Sequence, residues 1–91
     1  MVCPEIKRYI LSDHVLWQMK RRGIEKTTVD EILKKPEQCE EISTGRYVYQ
    51  SRIGSAEKKA RCLVRVFVDI DREPADVVTA YKTGKIKKYW R

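Results

Sequence analysis

The chain has 91 residues, of which 42% are hydrophobic and 36% are charged. Twenty Lys and Arg residues against thirteen Asp and Glu residues give a formal net charge of +7, which favours a polyanionic partner such as RNA. The length predicts one domain over residues 1–91 and excludes a second. Intrinsic disorder is excluded because β-branched and aromatic residues recur in periodic runs.

The sequence carries no sign of membrane insertion or of a metal site. The N-terminus lacks the apolar stretch of a signal peptide, and no apolar run is long enough to cross a bilayer. Cys3, Cys39 and Cys62 are widely separated and follow no metal-ligand spacing, so we expect neither a disulfide scaffold nor a zinc site. We also expect no organic cofactor, because there is no glycine-rich phosphate loop. These features predict a cytoplasmic protein without membrane contact.

The chain begins with a predicted edge strand and a helix. Residues 5–11 mix β-branched and aromatic residues with charges, which is typical of a short edge strand. Ser12 is a suitable N-cap and Gly23 a suitable C-cap for a first helix over residues 13–22. Its apolar residues recur at helical spacing and are Val15, Leu16 and Met19.

A second helix is predicted directly after the first. Thr28 and Glu31 fit a capping box, which would begin the helix at that point. The helix should end near Lys35, because a residue that precedes proline, here Pro36, is disfavoured in the helical region. The two helices form a hairpin that can bury its apolar side only against another layer.

That layer is predicted in the second half of the chain, where the apolar period changes to two. Strands are expected over residues 47–52, 62–68 and 77–81, joined by loops at 54–59 and 71–74. The middle strand is apolar on both faces and should be central. The predicted fold class is therefore α+β, with the helical hairpin packed on an antiparallel sheet of three to four strands in the order β-α-α-β-β-β.

The C-terminal segment combines cations with aromatic rings. The last ten residues carry five basic side chains and no acid. Tyr81, Tyr89 and Trp90 lie among or beside them, which is typical of segments that stack on bases. Either tyrosine could also accept a proton if a neighbouring cation lowers its pKa. A Lys-rich end can equally serve only solubility, and Trp90 is also explained as a packing residue that pins the tail to the domain.

His14 is the only histidine and lies in the first turn of the first helix. An imidazole exchanges protons near neutral pH, so His14 could serve as a general acid or base in phosphodiester cleavage. A histidine at a helix start is at least as often a capping or packing residue. At helical spacing it shares a polar flank with Gln18 and Arg21.

Arg65 is a cation within the apolar central strand, on the same face as Leu63 and Phe67. A buried charge is costly without a partner. Arg65 should therefore either pair with an acid such as Asp69 or Glu41, or line an open surface where a phosphate supplies the counter-charge. A guanidinium suits a bidentate grip on phosphate.

Further basic residues are candidate phosphate contacts. Arg46 and Arg52 on the first meander strand, with Lys82 and Lys85 after the last, would frame one face of the sheet and form a single phosphate-tracking groove. Each alone is equally a solvated surface charge. The full set of nucleic-acid-binding candidates is Arg21, Arg46, Arg52, Lys82, Lys85, Lys87 and Lys88.

Four segments in order resemble an uncharacterised family with a Ser-x-His motif on its first helix and a basic aromatic tail. The segments are SDHVLWQMKRRGI, VDEILKKPEQ, GRYVYQS and VVTAYKTGKIKKYW. That family is commonly placed beside the RelE, ParE and BrnT superfamily of type II toxins, which the element order, length and basic surface also resemble. The resemblance covers nearly the whole chain.

The resemblance implies a RelE-like fold and a function related to that of toxins. The superfamily includes ribosome-dependent messenger RNA nucleases, gyrase-directed toxins and members with no assigned reaction. RelE-like nucleases use Arg, Lys and a C-terminal Tyr, which Tyr89 matches in type and approximate place. The catalytic candidates are His14, Arg65, Tyr81 and Tyr89.

Two functions remain open at this point. One is a metal-independent endoribonuclease of a toxin-antitoxin pair, which acts on RNA or ribosome-bound mRNA and is covered by an antitoxin protein. The other is a non-catalytic module that binds nucleic acid or protein.

Overall fold

The computed structural model describes residues 3–54 and 61–90, which form three helices and five strands. In chain order they are β1 (Tyr9–Leu11), α1 (Asp13–Arg22), α2 (Lys26–Lys34), β2 (Gln38–Ser43), β3 (Arg46–Ile53), β4 (Cys62–Asp69), β5 (Ala75–Thr83) and α3 (Ile86–Tyr89). The α+β class is as predicted. The loop predicted at 54–59 lies outside the described residues except for Gly54. No helix in the described ranges is long and apolar enough to span a membrane.

The ends of α1 follow from its capping residues. The Ser12 Oγ accepts a hydrogen bond of 3.2 Å from the backbone N–H of Val15, as expected of an N-cap. Gly23 adopts a left-handed conformation with φ of 68°, which a residue with a Cβ rarely adopts. This lets the N–H of Ile24 donate to the carbonyl of Met19 at 2.9 Å. The predicted helix over residues 13–22 is confirmed.

The second helix, α2, begins earlier than predicted. Its N-cap is Glu25, whose extended backbone leaves its carbonyl to accept the N–H of Thr28 at 3.1 Å. Thr28 thus lies in the first turn, and the predicted capping box is wrong. Lys35 leaves the helical region, with φ of −139°, directly before Pro36, as predicted.

The sheet has the strand order β1-β5-β4-β3-β2, in which β1 is parallel to β5 and all other pairs are antiparallel. The predicted edge strand is confirmed but is shorter than residues 5–11. The three predicted meander strands pair in order as β3, β4 and β5, but the predicted antiparallel sheet of three to four strands is wrong: the sheet is mixed and has five strands, because β2 adds a fourth antiparallel strand and β1 is parallel. Only Cys39 of β2 is buried, and Glu40 and Glu41 follow it. An edge strand of this composition lacks the alternating apolar pattern from which strands are predicted.

Each face of the sheet packs against different elements. Successive strand residues point to opposite faces. Tyr49, Val66 and Ala80 are paired neighbours across β3, β4 and β5, and they pack in the main core together with the buried residues of α1 and α2. We call this side the helix face. The opposite side, to which Arg65 and Phe67 belong by alternation, is the far face.

A disulfide bond joins Cys3 to Cys39, so the prediction of no disulfide is wrong. The two residues are 36 positions apart, and their Cα atoms lie 5.8 Å apart because β2 runs beside the N-terminal segment. The same segment is held by the Tyr49 hydroxyl, which donates to the Pro4 carbonyl at 2.7 Å. Cys62 is a free thiol. Spacing alone could not show this pairing, since it depends on a strand that the sequence did not reveal.

Reduction of the Cys3–Cys39 bond should lower the free energy of unfolding. A cross-link that closes a loop of this length restricts the unfolded chain and contributes about 3–4 kcal/mol. Urea denaturation with and without reductant measures the difference. Cys39→Ser should match the reduced protein, whereas Cys62→Ser should match the oxidised one. Equal midpoints with and without reductant would contradict the bond.

Candidate functional site

Four side chains line up in one row across the far face. The strand register pairs Gln38 with Gln50, Gln50 with Arg65, and Arg65 with Tyr81, on β2, β3, β4 and β5. Residues directly opposite one another in paired strands share a face. The row therefore lies on the side of the sheet away from α1 and α2.

Arg65 is the centre of this row. Its Nε donates to the Oε1 of Gln50 at 2.9 Å, and one terminal nitrogen donates to the hydroxyl of Tyr81 at 2.7 Å. The guanidinium carbon lies 4.3 Å from the ring centroid of Tyr89, which follows from α3 folding over the far face. Arg65 is half-buried. We refer to Arg65, Gln50, Tyr81 and Tyr89 as the Arg65 cluster.

No ion pair joins Arg65 to a carboxylate within residues 3–54 and 61–90. Of the two alternatives for Arg65, pairing with Asp69 or Glu41 is therefore not the one observed. Asp69 is held by Arg46, whose Nε and terminal nitrogen donate to its two oxygens at 2.6 and 3.0 Å, and Glu41 accepts the N–H of Gly45. The charge of Arg65 is met by neutral acceptors and aromatic rings, which orient a cation without cancelling it.

Tyr89 is the phenol whose acidity the cluster changes. A hydrogen bond from Tyr81 lowers the pKa of Tyr89 below its ordinary value, and the charges of Lys88 and Arg65 lower it further. The two rings meet edge to face, with centroids 6.4 Å apart. A phenol with a lowered pKa is a phenolate more often near neutral pH, and a phenolate can accept a proton.

Gln50 hydrogen-bonds to both Arg65 and Tyr89, and the sequence did not predict it as a site residue. It is 3% exposed, and its Nε2 donates to the Oε1 of Gln38 at 2.8 Å and to the carbonyl of Tyr89 at 3.2 Å. Its own Oε1 remains for Arg65. A neutral amide gives no charge signal in a sequence. From the sequence, strand alternation shows only that Gln50 shares a face with Val48 and Arg52. The pairing register of β3 and β4 is needed to show that Gln50 lies beside Arg65.

His14 is not part of this cluster. It lies on α1, where its Nε2 is 3.0 Å from the Nε2 of Gln18 and its ring stacks on Trp17. The structure thus brings together three of the four predicted catalytic residues, Arg65, Tyr81 and Tyr89. The imidazole contacts Gln18 and Trp17 and lies outside the cluster.

The prediction that the basic residues form a single groove is wrong. Arg46 and Arg52 do lie on the far face by alternation, but carboxylates hold both. Arg52 donates to Glu37 at 3.0 Å, which lowers the pKa of Glu37, and it also stacks on the ring of Trp90 at 4.2 Å. Trp90 therefore packs against the sheet. These carboxylates partly neutralise Arg46 and Arg52, which reduces the positive charge that either can offer to a phosphate.

The remaining basic candidates are divided between the two faces. Lys82 lies on the helix face, where its Nζ is 3.4 Å from the carbonyl of Gly23 at the end of α1, and Arg21 is on α1 itself. Lys87 and Lys88 are exposed in α3, and Lys85 directly precedes it. Only the α3 lysines accompany the Arg65 cluster.

The chemistry available at the cluster is that of anion binding and proton transfer. It combines an oriented guanidinium, a phenol with a lowered pKa and a neighbouring lysine. Within the described ranges, no group of three or more His, Cys, Asp or Glu side chains is arranged to hold a metal ion.

Comparison with known families assigns the chain. A family model described as Domain of unknown function (DUF4258) matches residues 11–82. The chain belongs to the DUF4258 family. No curated protein and no solved structure matches it. The matched part of the DUF4258 chain includes His14, Gln50, Arg65 and Tyr81 and ends before Tyr89.

Three tyrosines of the DUF4258 protein should titrate in different pH ranges. Burial raises the pKa of Tyr49 to about 12, and burial with a hydrogen bond to Asp30 does the same for Tyr9, whereas the pKa of Tyr89 is lowered. An alkaline titration followed by ultraviolet phenolate absorbance should therefore begin with Tyr89.

The variant Tyr89→Phe should remove the earliest phase of that titration, and the matched variant Tyr9→Phe, which removes a phenol with a raised pKa, should leave it in place. An earliest phase that survives Tyr89→Phe would show that the cluster does not acidify this phenol.

Proposed function

We propose that this DUF4258 protein is a toxin-like RNA-binding protein whose Arg65 cluster binds a backbone phosphate and cleaves the RNA without a metal ion. The observation that carries the proposal is the half-buried guanidinium of Arg65, which has no carboxylate partner within the described residues. A phosphate can supply the missing negative charge and accept two parallel hydrogen bonds from the guanidinium.

The cleavage step follows from the groups around Arg65. Tyr89 as phenolate accepts the proton of a ribose 2′-hydroxyl, and the 2′-oxygen attacks the adjacent phosphorus. The bond from phosphorus to the 5′-oxygen breaks, which leaves a 2′,3′-cyclic phosphate and a 5′-hydroxyl that takes up a proton from solvent. Arg65 stabilises the negative charge that builds on the phosphate oxygens. Tyr81 contributes a hydrogen bond to Tyr89, which lowers the pKa of Tyr89 and so favours the phenolate.

The fold supports a relation to the RelE, ParE and BrnT superfamily. Two helices follow the first strand, an antiparallel meander follows the helices, and a basic aromatic segment ends the chain. The extra strand β2 departs from the expected order. On this proposal the substrate is RNA or ribosome-bound mRNA, and an acidic or amphipathic antitoxin protein covers the cluster and blocks its activity.

A second candidate is a non-catalytic binding module, which one observation favours. His14 contacts Gln18 and Trp17 on α1 and lies outside the Arg65 cluster, so the cluster has no imidazole with which to complete an acid and base pair. A module of this kind would hold RNA at Arg65 and leave it intact.

Substitution at the cluster separates the two functions. Tyr89→Phe should lower the cleavage rate of a single-stranded RNA by about 10²- to 10⁴-fold, because it removes the general base, and should leave binding nearly unchanged. Arg65→Ala should weaken both. The measurements are gel assays of cleavage with a chelator present and binding titrations of the same RNA.

Arg8→Ala is the matched control, because it removes one cation that is paired with Glu73. It should change neither cleavage nor binding. Binding that depends on Arg65 without any cleavage would select the binding module. Binding that is unaffected by Arg65→Ala would exclude the cluster as the phosphate site.

The cleavage rate should rise with pH in the range where Tyr89 loses its proton. Since the pKa of Tyr89 is lowered, this rise should begin below the range of an ordinary tyrosine. Tyr89→Phe should give a low rate without that rise, and Tyr47→Phe should keep the wild-type profile. A wild-type profile that falls as pH increases would require a proton donor, and not a phenolate, as the essential group.

A further inference from the structure

The outer side of α1 exposes a large aromatic ring that has no role in the core. Val15 and Met19 are the residues of α1 that the core buries, and helical spacing places Trp17 on the opposite side of the helix. Trp17 is 54% exposed. Burial does not explain a tryptophan at this position, and an exposed ring is available to a ligand.

The neighbours of Trp17 fix the surface around it. The ring of His14 stacks on Trp17, with centroids 6.1 Å apart and 20° between the planes, and the guanidinium of Arg21 lies 4.9 Å from the Trp17 centroid. Gln18 is 3.0 Å from the imidazole and accepts a hydrogen bond of 3.0 Å from Thr79 on β5. We call His14, Trp17, Gln18 and Arg21 the Trp17 surface.

Uncompensated positive charge surrounds this surface. No carboxylate forms an ion pair with Lys20, Arg21 or Arg22 in the part of the chain that the structure describes. Lys82 lies at the end of the same helix, 3.4 Å from the Gly23 carbonyl. A recess of about 240 Å³ opens between these groups and is lined by Trp17, Gln18, Arg21 and Arg22.

We propose that the Trp17 surface is a second binding site, which takes single-stranded nucleic acid by stacking a base on Trp17 and holding its phosphate at Arg21. A planar ring beside guanidinium groups matches the pairing of base and phosphate in single strands. The four residues of this site all belong to α1, and none of them is a member of the Arg65 cluster. An acidic protein fits less well, because Trp17 is the only large hydrophobic residue among the four residues of the Trp17 surface, and protein interfaces need a broader apolar centre.

Tryptophan fluorescence tests the stacking directly. In a Trp90→Phe background, Trp17 is the remaining tryptophan. Titration with single-stranded oligoadenylate should quench its emission to saturation, whereas inorganic polyphosphate and polyglutamate, which have charge but no bases, should not. Equal quenching by polyphosphate would reduce the site to an electrostatic patch and overturn the stacking. Quenching by polyglutamate alone would overturn the nucleic-acid assignment in favour of an acidic protein.

Matched substitutions measure the contribution of each contact. Trp17→Ala should weaken oligoadenylate binding about tenfold, whereas Leu16→Ala, which shortens another exposed apolar residue of α1, should not. Arg21→Ala should reduce the slope of log affinity against log salt by about 0.7, and Arg8→Ala, which removes a cation paired with Glu73, should leave the slope unchanged. Trp17→Ala that binds like wild type would overturn the proposal.

The same titrations separate this site from the proposed function. If Trp17→Ala abolishes binding while Arg65→Ala has no effect and no cleavage occurs, the Trp17 surface is the binding site and the function proposed for the Arg65 cluster is rejected. If Arg65→Ala abolishes binding and cleavage while Trp17→Ala has no effect, the function proposed for the Arg65 cluster stands and the Trp17 site is rejected.

Discussion

The arrangement of side chains on the far face depends on the contacts that hold the guanidinium of Arg65. Removing a cation from water is costly unless polar groups replace the water, and a carboxylate is the usual replacement. Arg65 instead has an amide oxygen, a phenol oxygen and a ring face. These groups fix the direction of the guanidinium and leave its charge uncancelled. A guanidinium held in this way can bind an anion, and its planar geometry suits phosphate.

This arrangement requires both the β3–β4 pairing register and the position of the C-terminal segment. A shift of the β3–β4 register by one residue would turn Arg65 towards the helices and place valines on the far face. The C-terminal segment must also fold back, because the Tyr89 carbonyl accepts the second hydrogen bond of Gln50. Gln50 therefore couples the position of Arg65 to that of α3, and the lowered pKa of Tyr89 depends on the same contact region.

The sequence predicted what depends on local pattern and missed what depends on pairing. The caps at Ser12 and Gly23 defined α1, and alternating apolar residues defined β3, β4 and β5. Arg65 was recognisable as a charge in an apolar strand. The edge strand β2 was missed because its exposed residues are acidic, and the Cys3–Cys39 bond was missed with it. The predicted basic groove failed for the same reason, since ion pairs such as Arg46 with Asp69 form across strands.

The most direct measurement is NMR of the arginine Nε–H signals during titration with a short single-stranded RNA, with Arg65→Lys used to assign the Arg65 signal. We expect the Arg65 signal to shift and saturate together with binding. The signals of Arg46 and Arg52, which are held by carboxylates, should stay near their starting positions. An Arg65 signal that stays in place while RNA binds would contradict the claim that this guanidinium is the phosphate site.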